Sequence, residues 1–275
     1  CTFIDGVGHP TMRSLYSVTS HEIAHTWFQF LMATNESKHS WMDEGFTSYI
    51  DDVAMNFILK EGKALPNANA YKDYFSWVAT GLEEPMTTHA DRFKFNTGYG
   101  MSAYDKGSIF LSQLQYIIGK ENFDNTLKKY FNDWSFRHPK PNDFIRSAEK
   151  VSGLELDWYL LDWAQSTMTI DYSINSVYGV DNRTKIVLKR IGQMGMPIDI
   201  RFVLESGHYL DYNIPMTKMR GSKPLNNSSL LDSWSWAKPY YEFWIDVDSN
   251  KISKILIDPK NEMADIDRNN NSLDL

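Results

Sequence analysis

The spacing of apolar residues changes once along this chain, near residue 165, and that change limits the folds open to it. Before it, apolar residues recur three and four apart, as in Ile109, Phe110, Leu114, Ile117 and Ile118, or Phe123, Leu127, Tyr130 and Phe131. That interval lines one face of an α-helix. From Met168 onward they alternate with polar residues: Ile170, Tyr172 and Ile174; Ile186 and Leu188; Ile198, Ile200, Phe202 and Leu204; Phe243, Ile245 and Val247; Ile252, Ile255 and Ile257. Alternation marks a strand with one buried face, and turn residues at 179–182 and at Glu205-Ser206-Gly207 separate the runs. The expected class is therefore multidomain α+β, with a mainly helical region over 1–165 and a small β-sandwich over 166–275 that ends in a polar tail. With 275 residues, 42% of them apolar and 14% aromatic, there is material for one large domain or two ordinary ones.

One short run in the helical region carries chemistry: His21-Glu22-Ile23-Ala24-His25. If residues 14–32 are helical, positions 21 and 25 lie one turn apart on one face, so two imidazoles converge on a single ion. Glu22 sits about 100° round the helix from His21. It reaches a water on that ion without being a ligand, which makes it the general-base candidate. A second helix, expected from about Ser40 to Lys60 with Ser40 as N-cap, brings Glu44 back as a carboxylate ligand. A His, His, Glu set leaves the fourth position open for water, the mark of a catalytic zinc site. Asp43 and Thr47 flank Glu44 and are candidates to hydrogen-bond the ligand rings.

The competing reading of the motif is an amphipathic core helix with two hydrogen-bonded histidines, for which Ile23, Ala24, Trp27, Phe28 and Leu31 would supply the apolar face. On the second helix Phe46, Ile50, Val53, Ala54, Phe57 and Ile58 stand at helical spacing and are expected in the core. His9, in a loop with Gly6, Gly8 and Pro10 after a short strand, reads as an ordinary polar residue, and His39, in the linker 34–39, lies too far from the helical face to join the ligands. Glycines and prolines break residues 61–98 into short helices and loops. Further helices are expected at about 121–134, 141–151 and 155–164, the last with Leu156, Tyr159, Leu160 and Trp163 as its apolar residues.

A formal charge of -7 with no basic run argues against a nucleic-acid partner. One cysteine, Cys1, excludes an internal disulfide and a cysteine-ligated zinc cluster. No apolar run reaches the roughly 18 residues of a membrane-spanning helix. Residues 264–271 and 246–250 resemble calcium loops only in their aspartates. Asn270 stands where the glycine belongs and Ile257 where the bidentate glutamate belongs, so both read as polar turns. The chain opens at Cys1 without an initiator methionine and reads straight into strand-like Cys1-Thr2-Phe3-Ile4, which predicts a piece of a longer protein.

Taken with the His-Glu-x-x-His run, Glu44 inside Trp41-Met42-Asp43-Glu44-Gly45-Phe46 has the arrangement of gluzincin peptidases, and the segment resembles the aminopeptidase N family, which includes leukotriene hydrolase. Tyr104-Asp105-Lys106-Gly107 looks like the Tyr-Glu-Lys-Gly phrase of that family. The resemblance implies a thermolysin-like catalytic domain with one zinc per chain, held by His21, His25 and Glu44. It implies Glu22 as general base and Tyr104 as hydrogen-bond donor to the oxyanion, with Tyr99 falling where leukotriene hydrolase has an active-site tyrosine. It further implies a peptide substrate, a preceding β-domain and, in many members, a following helical domain. The family's Gly-x-Met-Glu-Asn motif, which holds the substrate amine, would lie just before Cys1. The expected function is a zinc aminopeptidase. The alternatives are a binding scaffold that keeps the metal site as a relic, or an endopeptidase or epoxide hydrolase built on the same site.

Overall fold

The computed structural model describes residues 12–275, so the opening strand and the His9 loop fall outside the described residues. Helices fill the first part of the chain and strands the last, the α+β class that the change of period predicts. The chain forms two compact units. One comprises Cys1–Leu114, Asp124–Ser147 and Ala164–Thr167, and the other Gln115–Phe123, Ala148–Trp163 and Met168–Leu275.

In the first unit α1 spans Met12–Ala24 and stops short of the predicted end at residue 32. Past Ala24 the backbone bonds shift from four residues back to three, at Thr26 and Trp27, and then to five, at Phe30, Leu31 and Met32, while Gln29 takes a φ of 89°. Threonine and aromatic residues lose rotamer freedom in a helix, so the run Thr26-Trp27-Phe28 gives the helix little reason to continue. Helix α2 (Glu36–Ser40) starts within the expected linker, because Asn35 caps it by accepting from the Lys38 amide at 3.1 Å. Ser40 is thus inside the helical run and is not the N-cap. A π-helical turn, Trp41–Gly45, follows and leads into α3 (Phe46–Ile58).

Helix α3 buries a different face from the one its apolar spacing suggests. Phe46, Thr47, Asp51 and Met55 are buried, whereas Val53 and Ile58 are exposed and Phe57 is 84% exposed. The helix carries two apolar stripes, and the polar Thr47 and Asp51 turn inward because they have partners on α1 and just beyond it. Ser17 of α1 donates to Asp51 Oδ2 at 2.6 Å.

Next come α4 (Ala68–Val78) and α5 (Asn96–Gly100), a second π-helical turn at Met101–Lys106, then α6 (Gly107–Ile118), α7 (Lys120–Trp134) and α8 (Pro141–Ser152). Ile109, Phe110, Leu114, Ile117 and Ile118 are buried as the spacing predicts, while Phe131 faces solvent. The core of the first unit is aromatic: Trp41 packs on Phe110 at 4.8 Å, and Phe144 meets Phe46 at 4.8 Å and Tyr130 at 5.0 Å between ring centroids.

The second unit holds α9 (Asp157–Tyr159), all but the last residue of a further π turn at Leu160–Ala164, and two sheets. Leu156, Tyr159, Leu160 and Trp163 are all buried. Strands β1 (Tyr172–Val180), β2 (Arg183–Arg190), β3 (Ile198–Leu204), β4 (Tyr209–Ile214), β5 (Ser229–Leu230), β6 (Tyr240–Ile245), β7 (Ile252–Ile257) and β8 (Ser272–Asp274) pair as β1-β2-β6 and as β5-β4-β3-β7-β8. Val247, read from the sequence as part of a strand, lies past the end of β6. The inward residues of the alternating runs meet between the sheets, as Phe202 of β3 and Phe243 of β6 do at 6.2 Å. Asp248 and Asp267 each cap a short 3₁₀ turn by accepting an amide two residues on, so both aspartate runs are polar turns.

Candidate metal centre

The His-Glu-x-x-His run sits at the C-terminal end of α1. His25 is one residue past the last helical position, yet its amide still reaches the His21 carbonyl at 3.3 Å, so the one-turn spacing survives. The two rings lie 4.9 Å apart at 84° to each other. Glu44 comes from the first π turn, where the wider helix turns the carboxylate toward both rings. Its Oε2 is 3.1 Å from His21 Nε2 and 3.4 Å from His25 Nε2. One ligand atom from each of His21, His25 and Glu44 lies within 4.8 Å of the others, the one such cluster of three or more His, Cys, Asp or Glu among the described residues.

The far side of the His25 ring is also held. Asp43 Oδ1 lies 2.6 Å from His25 Nδ1, and Thr47 Oγ1 and the Phe28 carbonyl oxygen each lie 3.3 Å from the same nitrogen. A carboxylate on Nδ1 fixes the ring orientation and leaves Nε2 facing Glu44. Asp43, next to Glu44, and Thr47, three residues on, therefore both reach His25.

Charge follows geometry. Burial disfavours a charged His21, but its hydrogen bond to Glu44 and the charges of Glu44, Asp51 and Glu22 outweigh it and raise its pKa above the usual histidine value. Burial likewise works against the Glu44 carboxylate, but hydrogen bonds from His21 and Tyr104 prevail and lower its pKa. Glu44 is thereby kept ionised, the form a metal ligand needs. Burial pushes Asp43 up to about 7, with His25 pulling the other way and Glu44 adding to the rise.

Tyr104 lies on the second π turn, and its ring stacks on His21 with centroids 6.0 Å apart and planes 15° from parallel. Burial and the neighbouring carboxylate raise its pKa well above the ordinary tyrosine value, so its hydroxyl remains a donor. Burial and the charges of Glu44 and Asp43 raise the pKa of Tyr99. Glu22 is exposed on α1, and its charge acts on His21. His39 stays outside the ligand cluster. The donor set fits zinc: two imidazole nitrogens and one ionised carboxylate, with a carboxylate behind one of the rings.

The sequence profile of the Peptidase family M1 domain matches residues 7–163, more than half of the chain. The chain belongs to peptidase family M1. Human aminopeptidase B is 30% identical over 171 residues, covering 54% of this chain and 26% of that protein. Aminopeptidase M1 of Arabidopsis thaliana is 23% identical over 224 residues, covering 80% of this chain and 24% of that protein. The chain thus spans about a quarter of the length of these M1 relatives. In fold it is similar to Legionella pneumophila aminopeptidase A, solved in complex with aspartic acid, with a TM-score of 0.57, 17% identity, and coverage of 90% of this chain and 26% of that one.

Proposed function

We propose that this M1 chain carries the catalytic centre of a zinc-dependent aminopeptidase, within a thermolysin-like region over residues 1–165 followed by a β-sandwich over 166–275. The observation that supports this most is the convergence of one ligand atom from each of His21, His25 and Glu44 within 4.8 Å of the others. A zinc ion held by these three residues would polarise the scissile carbonyl of a peptide and make a water molecule acidic near neutral pH.

The chain's own residues then divide the work. Glu22, exposed beside His21 on α1, takes a proton from the attacking water and passes it to the leaving amine, a role worth about 10²–10⁴ in rate. Tyr104 donates its hydroxyl hydrogen to the carbonyl oxygen as negative charge builds there. Asp43 holds the His25 ring. A relic scaffold has no physical need for either the base or the donor, and the chain carries a residue suited to each, Glu22 and Tyr104. The amine-binding role is assigned to no residue of this chain.

Full-length protein assayed with free and N-acetylated aminoacyl anilides tests the reading. Cleavage of the free-amine form alone, together with about one zinc per chain that His21→Ala abolishes, supports it. Equal cleavage of both forms would replace the aminopeptidase reading with an endopeptidase one, and no zinc uptake would remove the peptidase reading altogether.

A further inference from the structure

Lys106 is among the largest fully buried side chains of the protein, and the chemistry proposed above does not use it. Its ammonium is paired with the Glu83 carboxylate, the two side chains being 2% and 7% exposed, and it lies 3.3 Å from the Ser166 carbonyl oxygen. It also stands 5.9 Å over the ring of the buried Tyr74. A buried ion pair is seldom a source of stability, because desolvation offsets most of the attraction, so its position calls for another explanation.

That position is the π turn Met101–Lys106, which carries Tyr104. The segment Glu83-Glu84 grips this turn on both sides of the tyrosine. Two residues before it, Ser102 Oγ donates to the Glu84 carbonyl at 3.4 Å, and two residues after it Lys106 pairs with Glu83. A π turn is a rare departure from α-helical bonding that recurs at functional sites, so how its flanks are held bears on the side chain it projects. Here one flank is anchored by a buried charge paired with the Glu83 carboxylate.

We propose that Lys106 and Glu83 form a positioning pair that clamps the second π turn and so holds the Tyr104 hydroxyl over the metal centre. The turnover consequence rests on the peptidase reading; the clamp itself does not.

The test is a cycle of variants in the full-length protein. Removing one partner alone strands a buried charge, so the informative variant changes both, Lys106→Met with Glu83→Met. This pair is expected to lower kcat about ten- to a hundredfold, the scale of a misplaced catalytic group, with KM within about threefold and zinc content unchanged. In a Tyr104→Phe background the same pair should lower kcat no further, because the group it positions is already gone. Lys106→Arg, which keeps the charge, should retain most of the turnover.

Hydrogen exchange of the amides of residues 101–106 should quicken in the paired variant whether or not a substrate is turned over. An equal loss of kcat in the Tyr104→Phe background, or unchanged exchange over residues 101–106, would overturn the proposal. A wild-type protein that cleaves no peptide would sink the peptidase reading, while the exchange result would still decide the clamp.

Discussion

Gly45 and Gly107 touch backbone to backbone: a Cβ on Gly45 would stand 2.6 Å from the Cα of Gly107, and one on Gly107 would stand 2.8 Å from the Cα of Gly45. Each glycine directly follows a residue or turn of the site, Gly45 after Glu44 and Gly107 after the turn that carries Tyr104. Both have ordinary helical φ, so the glycines are needed for space and not for conformation. The close approach packs the turn that carries Glu44 against the turn that carries Tyr104.

Gly45→Ala should therefore push the two π turns apart. Overpacking of this kind costs about 1–3 kcal/mol, and it should also lower kcat through the displaced tyrosine. Denaturant titration and steady-state kinetics on the same preparation check both parts. Wild-type stability in the variant would show that the turns can yield without cost.

Glu22→Gln keeps the shape of the side chain and removes its basicity. Zinc content should stay near one per chain while turnover falls about 10²–10⁴-fold. Metal analysis beside a peptide-anilide assay reads both, and equal turnover in the variant would end the general-base assignment.

Asp43→Asn weakens the hold on His25 Nδ1 without emptying the space. Loss of such a partner commonly costs 10–100-fold in metal affinity, and the same is expected here in a competition titration against a chelator. Glu44→Ala should lose more, since it removes one of the three proposed ligands. The opposite order would exchange the roles of the two neighbours.

Asp105 follows Tyr104, and burial, with the charge of Asp73, pushes its pKa up to about 7 from an ordinary 3.8. A raised acid pKa means that the folded chain binds the proton more tightly than the unfolded chain does. Its contribution is therefore fullest below pH 3.8 and is lost as pH rises toward 7, by up to about 1.4 kcal/mol per pH unit. Asp105→Asn should flatten that slope, so denaturation from pH 4 to 7 should show the wild type losing stability relative to the variant. Parallel profiles would mean that the carboxyl is solvated.

Much of the site was legible in the sequence because its spacing is local. His21 and His25 share a helix face whatever surrounds them, and the hydrogen bond from the His25 amide to the His21 carbonyl keeps that relation even though α1 ends at Ala24. The switch from helical to alternating period likewise announced an α+β chain, since periodicity follows directly from backbone geometry. Asp43 and Thr47 were candidates because they lie one and three residues from Glu44, although the sequence did not say which ring they would hold.

What only the tertiary structure decided depends on residues distant in sequence. Apolar spacing could not say which stripe of α3 turns inward, and Phe57 lies outside while Thr47 and Asp51 are buried by their partners His25 and Ser17. Nothing local marks Gly45 as the seat for Gly107, or Glu83 as the partner of Lys106. By itself the sequence determined which donors the chain owns and the pitch at which neighbours face each other. Folding decided which distant donors meet, because a contact between two turns is set by the packing of everything between them.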